Sequence, residues 1–219
     1  MQLYSYFRSS AAYRVRIALN IKGLSYEYVP VHLLKDGGQQ RSAAYRALNP
    51  TALVPTLVDG DQVIGQSLAI IEYLDETHPA VPLLPPTPAG RARVRALSLD
   101  IACDIHPLNN LRVLKYLKHT VKVEDAVKDE WYRHWVMEGL AAFEAALLAS
   151  PQTGRFCHGD APTMADACLV PQLYNARRLA CDLSAFETIL RIEQACEALP
   201  AFQAARPENQ PDFEAPAAK

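Results

Sequence analysis

The chain opens on a change of hydrophobic period. Leu3, Tyr4, Tyr6 and Phe7 are the apolar and aromatic residues that favour a strand. Arg8-Ser9-Ser10 interrupts them. From Ala11 the apolar spacing becomes three and four, with Val15, Ala18 and Leu19 on one face and Gly23 placed as a stop. Ser9 or Ser10 is therefore a helix N-cap at the end of a strand. Unpaired N–H groups, the positive end of a helix dipole and a hydroxyl meet there; a plain serine cap has the same pattern. Residues 25–31 alternate again, and Pro30 makes them an edge strand. Strand, helix and strand within so short a stretch form a βαβ unit with parallel strands. Residues 33–40 are polar with Gly37-Gly38 and predict a loop, followed by a short helix over 39–48. Residues 56–58 and 62–64 form a hairpin about Asp59-Gly60. Gln66-Ser67 opens a helix over 68–77, with Leu68, Ile71 and Leu74 on one side.

This order predicts a mixed four-stranded sheet of the thioredoxin-like α/β kind over residues 1–80. In that fold the proline before the third strand is cis, and Val54-Pro55 is the candidate. Such a bond turns the backbone of Val54 towards an extended, peptide-like ligand. Pro79, Pro82, Pro85, Pro86 and Pro88 stiffen the next stretch, so residues 81–88 read as a linker. Beyond it the pattern is helical, predicting an all-α domain over 89–205. One long helix over 89–118 bends near Pro107. A second covers 124–148, with Val127, Trp131, Trp135, Leu140, Phe143 and Leu147 as its core stripe. Thr163-Met164-Ala165-Asp166 reads as a capping box opening a helix to 179, in which Pro171 introduces a kink. Ser184-Ala185-Phe186-Glu187 reads as another such start, for a helix to 199. Residues 206–219, rich in proline, alanine and charge, are expected to be disordered.

Composition narrows the function. Half of the 219 residues are hydrophobic, enough for a substantial core, and the net charge of -2 argues against non-specific nucleic-acid binding. No apolar run reaches membrane length, and the N-terminus has no signal-peptide pattern. The five cysteines (Cys103, Cys157, Cys168, Cys181 and Cys196) include no C-x-x-C pair. The reading is a reduced, cytoplasmic protein with buried thiols and no metal site, since the six histidines are scattered too.

The longer motifs resemble the zeta class of the glutathione transferases. The resemblance rests on Arg8-Ser9-Ser10-Ala11-Ala12-Tyr13-Arg14-Val15-Arg16, Ala47-Leu48-Asn49-Pro50, Val54-Pro55-Thr56-Leu57 and Gln66-Ser67-Leu68-Ala69-Ile70-Ile71-Glu72-Tyr73-Leu74. Pro107-Leu108-Asn109-Asn110-Leu111 and Thr163-Met164-Ala165-Asp166 with Val170-Pro171-Gln172 continue it. It runs from Met1 to about residue 199 with these motifs in order. The class includes the glutathione-dependent isomerases of maleylacetoacetate and maleylpyruvate. The resemblance thus implies glutathione transferase architecture, glutathione as cofactor, a carboxylated enedione as substrate and a homodimer. It makes Ser9 the principal thiolate donor, assisted by Ser10. It assigns Gln40, Val54, Gln66, Ser67, His106, Asn110, Leu111 and Arg112 to glutathione, and Arg8 and Arg178 to substrate carboxylates. Many zeta enzymes carry cysteine after the two serines, whereas this chain has Ala11. No protein thiol acts at that position, so the reacting sulfur is that of glutathione.

The implied reaction is cis–trans isomerisation by reversible conjugate addition of the thiolate. A general transferase that conjugates electrophiles or dehalogenates haloacids would use the same thiolate but leave the conjugate bonded. A non-catalytic protein-binding module would have no need of Ser9, Gln66 and Ser67.

Overall fold

The structure, a computed structural model, describes residues 1–215. The chain divides into two compact units: Met1–Leu83 together with the chain from Glu197 onwards, and Leu84–Cys196.

In the first unit the elements are β1 (Gln2–Ser5), α1 (Ser10–Ile21), β2 (Glu27–Pro30), α2 (Ala43–Leu48), β3 (Thr56–Asp59), β4 (Gln62–Gly65) and α3 (Ser67–Thr77). The sheet order is β2-β1-β3-β4. β1 and β2 are parallel, while β3 runs antiparallel to both β1 and β4. Pro30 lies on the edge strand, where its missing donor costs no ladder bond. Gly60, at φ 57, makes the tight β3–β4 turn. α1 buries residues along most of its length and packs on α3. Residues 39–48, expected as one helix, form a 3₁₀ turn at Gln39–Arg41 and then α2, because Ser42 caps α2 through the Tyr45 N–H (3.2 Å).

α9 (Pro200–Ala205) returns to this unit and packs on α1. The expectation of disorder from residue 206 is corrected for residues 206–215; residues 216–219 lie outside the described residues. A 3₁₀ turn spans Pro207–Asn209, and the Gln210 amide donates to the carbonyls of Ala204 (2.9 Å) and Arg206 (2.8 Å). Asp212 accepts from Phe7 N–H and the Tyr28 hydroxyl. The composition of the segment conceals side chains with partners far away in the sequence.

The second unit contains α4 (Pro88–Leu99), α5 (Leu111–Tyr116), α6 (Asp125–Leu148), α7 (Met164–Arg178) and α8 (Glu187–Glu197). α4 starts where Thr87 caps the Gly90 N–H and Pro88 occupies the first turn. The single helix expected over 89–118 is not one helix. After α4 the chain passes through a π-helical turn, Asp100–Ile105, and a 3₁₀ turn, Pro107–Asn109, before Asn110 caps α5. Pro107 has no N–H to continue the ladder. A Cβ on Gly139 of α6 would fall 2.3 Å from Ile105, so the π turn and α6 meet through a residue without a side chain.

α6 buries Tyr132, Val136, Leu140, Phe143 and Leu147. Val127, expected in that stripe, is exposed, and Trp131 is half-buried with its indole N–H on the Leu108 carbonyl (2.9 Å). The capping box of α7 is present, with Asp166 fully buried. The box expected at Ser184 is absent, and α8 begins at Glu187. The Glu144 carboxylate of α6 caps it instead, accepting from the N–H groups of Thr188 (2.8 Å) and Ile189 (2.9 Å).

Candidate active site

The sheet register brings the first unit's candidate residues to one edge. Tyr4 pairs with Thr56, so the end of β1 lies beside the start of β3. Thr56 pairs with Gly65, so β4 ends there too. Ser5 pairs with Pro30, which places the exit of β2 at the same edge. The segments leaving that edge are the Arg8-Ser9 turn, Val54-Pro55, Gln66-Ser67 and the loop towards Gln40.

Ser9 is the N-cap of α1. Its backbone is extended (φ -72, ψ 116) and its Oγ accepts the Ala12 N–H at 3.2 Å. A serine hydroxyl has two acceptor positions and one proton. Capping uses one acceptor, and among the described residues no acceptor takes the Ser9 proton. The site therefore offers a hydroxyl donor at the positive end of a twelve-residue helix. Ser10, the first helical residue, is buried behind it. Arg8 is half-buried, its guanidinium carbon 6.0 Å from the ring centre of Tyr6 and 5.7 Å from that of Phe7.

The Val54-Pro55 bond is cis. Val54 precedes β3, and among the described residues its backbone has no hydrogen-bond partner. Gln66 caps α3 with a left-handed backbone (φ 65, ψ 117) and makes no side-chain cap bond. A glutamine held there is strained, which is characteristic of functional sites. Ser67 is then the first helical residue rather than the cap. Its hydroxyl accepts from the guanidinium of Arg14 at 3.2 Å, both side chains being buried. The leading N–H groups of α3 thus remain available to an anion. Arg14 was missed in the sequence; its only signal there is a charge among the apolar residues of α1.

Gln40 is buried, and among the described residues its Oε1 has no hydrogen-bond partner. Its amide lies against Gly38, where φ is 105 and a Cβ would fall 2.8 Å from both terminal atoms. Glycine is needed there for both the backbone and the space. The edge therefore presents a hydroxyl, an uncapped helix N-terminus, an unpaired strand segment and a buried amide. This donor and acceptor set suits a short, extended anionic ligand with a peptide-like backbone.

The remaining candidates lie in the second unit. His106, Asn110, Leu111 and Arg112 share one short segment. Asn110 Oδ1 accepts the Arg112 N–H (3.0 Å), and its amide nitrogen is 3.4 Å from His106 Nε2. Arg178 ends α7, exposed, with Nη1 donating to Asn175 Oδ1 at 3.1 Å. Tyr132 lies near both groups. Its carbonyl accepts from the Asn109 amide (3.3 Å), and burial pushes its hydroxyl pKa up to about 12 against the opposing pull of the Arg178 charge. Among the described residues no group of His, Cys, Asp or Glu side chains could hold a metal ion, and no helix is long and apolar enough to cross a membrane.

A thioredoxin-like unit with this edge, joined in one chain to an all-helical unit, defines a class. The chain belongs to the glutathione S-transferase family: it matches the family's N-terminal domain over residues 3–85 and its C-terminal domain over residues 125–204. It is 53% identical over 210 residues to a probable maleylacetoacetate isomerase of Vibrio cholerae, covering 96% of this chain and 97% of that one. A solved holo structure of maleylpyruvate isomerase, described as a bacterial glutathione S-transferase in the zeta class, superposes with a TM-score of 0.94. It is 47% identical, with 98% of this chain and all of that one covered. A maleylacetoacetate isomerase from Methylobacterium extorquens, solved with bound malonate and glutathione, also has a TM-score of 0.94. It is 42% identical, with the same coverage.

Proposed function

We propose that the protein is a glutathione-dependent cis–trans isomerase acting on a small carboxylated enedione such as maleylacetoacetate or maleylpyruvate. The observation that carries this reading is Ser9, a cap whose proton remains free to donate at the positive end of α1. Bound glutathione supplies the nucleophilic sulfur that adds reversibly to the cis double bond.

The chain's own residues bind and hold. The α3 N-terminus with Gln66 and Ser67 receives the γ-glutamyl carboxylate. The Val54 backbone pairs with the cysteinyl residue, and Gln40 meets the glycine end. Ser9 donates to the thiolate and keeps it ionised near neutral pH, with Ser10 behind it. His106, Asn110, Leu111 and Arg112 are assigned to further contacts with the same ligand on family resemblance. Arg8 and Arg178 pair with substrate carboxylates, for which a guanidinium fork is suited. A relative solved with bound malonate, a dicarboxylate, and bound glutathione supports this substrate class. The reading includes a homodimer in the cytoplasm.

The arginines supply the test. A lost charge-assisted contact costs about 1.5–3 kcal/mol, roughly ten- to hundredfold in kcat/KM. Arg178→Ala and Arg8→Ala should each lose that much with a carboxylated enedione and little with a neutral chloronitrobenzene. Equal losses on both substrates would remove the arginines from carboxylate binding.

A further inference from the structure

We propose that the carboxy-terminal segment 211–215 is a positioning element of the thiolate site, acting through Asp212 and Phe213. This rests on the reading of Ser9 as the thiolate's donor.

The turn that carries Ser9 leaves the sheet after β1. Ser9 N–H donates to the Tyr6 carbonyl (2.9 Å). Arg16, buried on α1, donates to the carbonyls of Tyr6 (3.4 Å) and Phe7 (3.0 Å). Both contacts come from the β1–α1 unit itself. The Phe7 N–H instead donates to Asp212 Oδ2 (3.1 Å), 205 positions away in the sequence. The other oxygen of Asp212 accepts from the Tyr28 hydroxyl of β2 at 2.6 Å. One carboxylate thus ties the Ser9 turn to the neighbouring strand.

The next two residues reach the other walls of the site. The Phe213 ring stands edge-on to Phe7, with centroids 5.6 Å apart at 88°. It packs on the cluster of Tyr6, Phe7, Val31, Tyr45 and Val54. Glu214 pairs with Lys35 and lies 3.5 Å from His32 Nε2. The His32 N–H donates to the Gln39 side chain (2.8 Å), and the Gln39 N–H returns to the His32 carbonyl (2.9 Å). The loop that presents Gln40 is therefore also tied to the segment. Three consecutive residues, Asp212, Phe213 and Glu214, thus brace the Ser9 turn, the cluster that includes Val54 and the Gln40 loop from outside the βα scaffold.

The test uses the purified full-length chain, a truncation ending at Gln210, Asp212→Ala, Asp212→Asn and Phe213→Ala, with Ser9→Ala as reference. Three quantities are read: the glutathione Kd by calorimetry, the pKa of the bound thiol from thiolate absorbance, and the thermal midpoint. The truncation and Asp212→Ala should raise the bound thiol's pKa by about half a unit, roughly threefold in ionisation constant, and weaken glutathione by a similar factor. Phe213→Ala should move both in the same direction. Asp212→Asn should restore both, because its amide oxygen still accepts from Phe7 N–H while its NH₂ donates to Tyr28. If Asp212→Ala does not fold, Tyr28→Phe removes one of the two bonds and should give a smaller shift of the same sign. A lowered thermal midpoint with unchanged pKa and Kd in all variants would overturn the proposal. An unchanged pKa in Ser9→Ala would instead sink the serine reading. The segment would then be judged on Kd alone, a threefold weakening upholding it and an unchanged Kd overturning it.

Discussion

Replacing Ser9 separates two roles of one oxygen. As a cap, Oγ accepts the Ala12 N–H at 3.2 Å. Losing that bond to alanine costs about 1 kcal/mol of stability, whereas glycine at an N-cap costs only a few tenths. As a donor to a thiolate, the same hydroxyl contributes about 1.5–3 kcal/mol, or roughly one to two pKa units of the bound thiol. Ser9→Ala should therefore lose about 1 kcal/mol in urea unfolding. Its bound thiol should rise by one to two units, and kcat/KM should fall about ten- to hundredfold. Ser9→Gly should show the same thiol shift with almost parental stability. Ser9→Thr should keep both properties, since threonine both caps and donates. Ser10→Ala should be milder, because Ser10 is buried as the first helical residue. The assays are a thiolate absorbance titration of the glutathione complex and a urea melt on the same preparations. A parental thiol pKa in Ser9→Gly would refute the donor role and leave Ser9 a cap.

Three further predictions concern the second unit. Asp166 accepts from Cys157 N–H (2.8 Å) and from the N–H (2.7 Å) and hydroxyl (2.8 Å) of Thr163, so Asp166→Ala should cost about 2–4 kcal/mol in urea unfolding by orphaning buried donors; a loss below about 1 kcal/mol would count against this. Burial raises the Asp166 carboxyl above its ordinary value, outweighing the hydrogen bonds that pull it down. The folded state therefore holds that proton to higher pH than the unfolded chain. This contribution to stability is complete below about pH 4 and is lost as the pH rises through the folded pKa. Unfolding free energies measured across that range should fall less steeply in Asp166→Asn, and an identical slope would contradict the assignment. Cys103 is exposed, whereas Cys157, Cys168 and Cys196 are buried, and burial pushes the Cys157 thiol well up. Iodoacetamide followed by peptide mass mapping should label Cys103 first and the buried three only in denaturant; early labelling of Cys157 would contradict the packing.

What the sequence disclosed was local. The period change at Arg8-Ser9-Ser10, the turn at Asp59-Gly60, Pro30 on an edge and the box from Thr163 to Asp166 each involve residues close in the chain. The structure places them as read. Pro107 marked an irregularity in the long helix expected there, but the π turn before it and the Asn110 cap after it, which divide that stretch into α4 and α5, were not legible. Both arise from packing against α6 and from a side chain that competes for backbone N–H groups. The start of α8 was misplaced because its cap is Glu144, more than forty residues upstream. The tail was misread for the same reason, since Asp212 has partners at Phe7 and Tyr28. In the site, Ser9, Val54, Gln66 and Ser67 stand in local motifs. Arg14 behind Ser67 and the space Gly38 gives to Gln40 depend on the fold. The roles of His106, Asn110, Leu111, Arg112 and Arg178 rest on resemblance.

The central claim is that glutathione is used and returned. The most direct measurement adds a large excess of maleylpyruvate or maleylacetone to the purified protein with a small, known amount of glutathione. Proton NMR follows the cis and trans vinyl signals, and the free thiol is titrated at the end. The account predicts many equivalents of trans product per glutathione, with the thiol fully recovered. Conversion that stopped at one equivalent per glutathione, with the thiol consumed in a stable conjugate, would contradict it and mark the protein as a transferase.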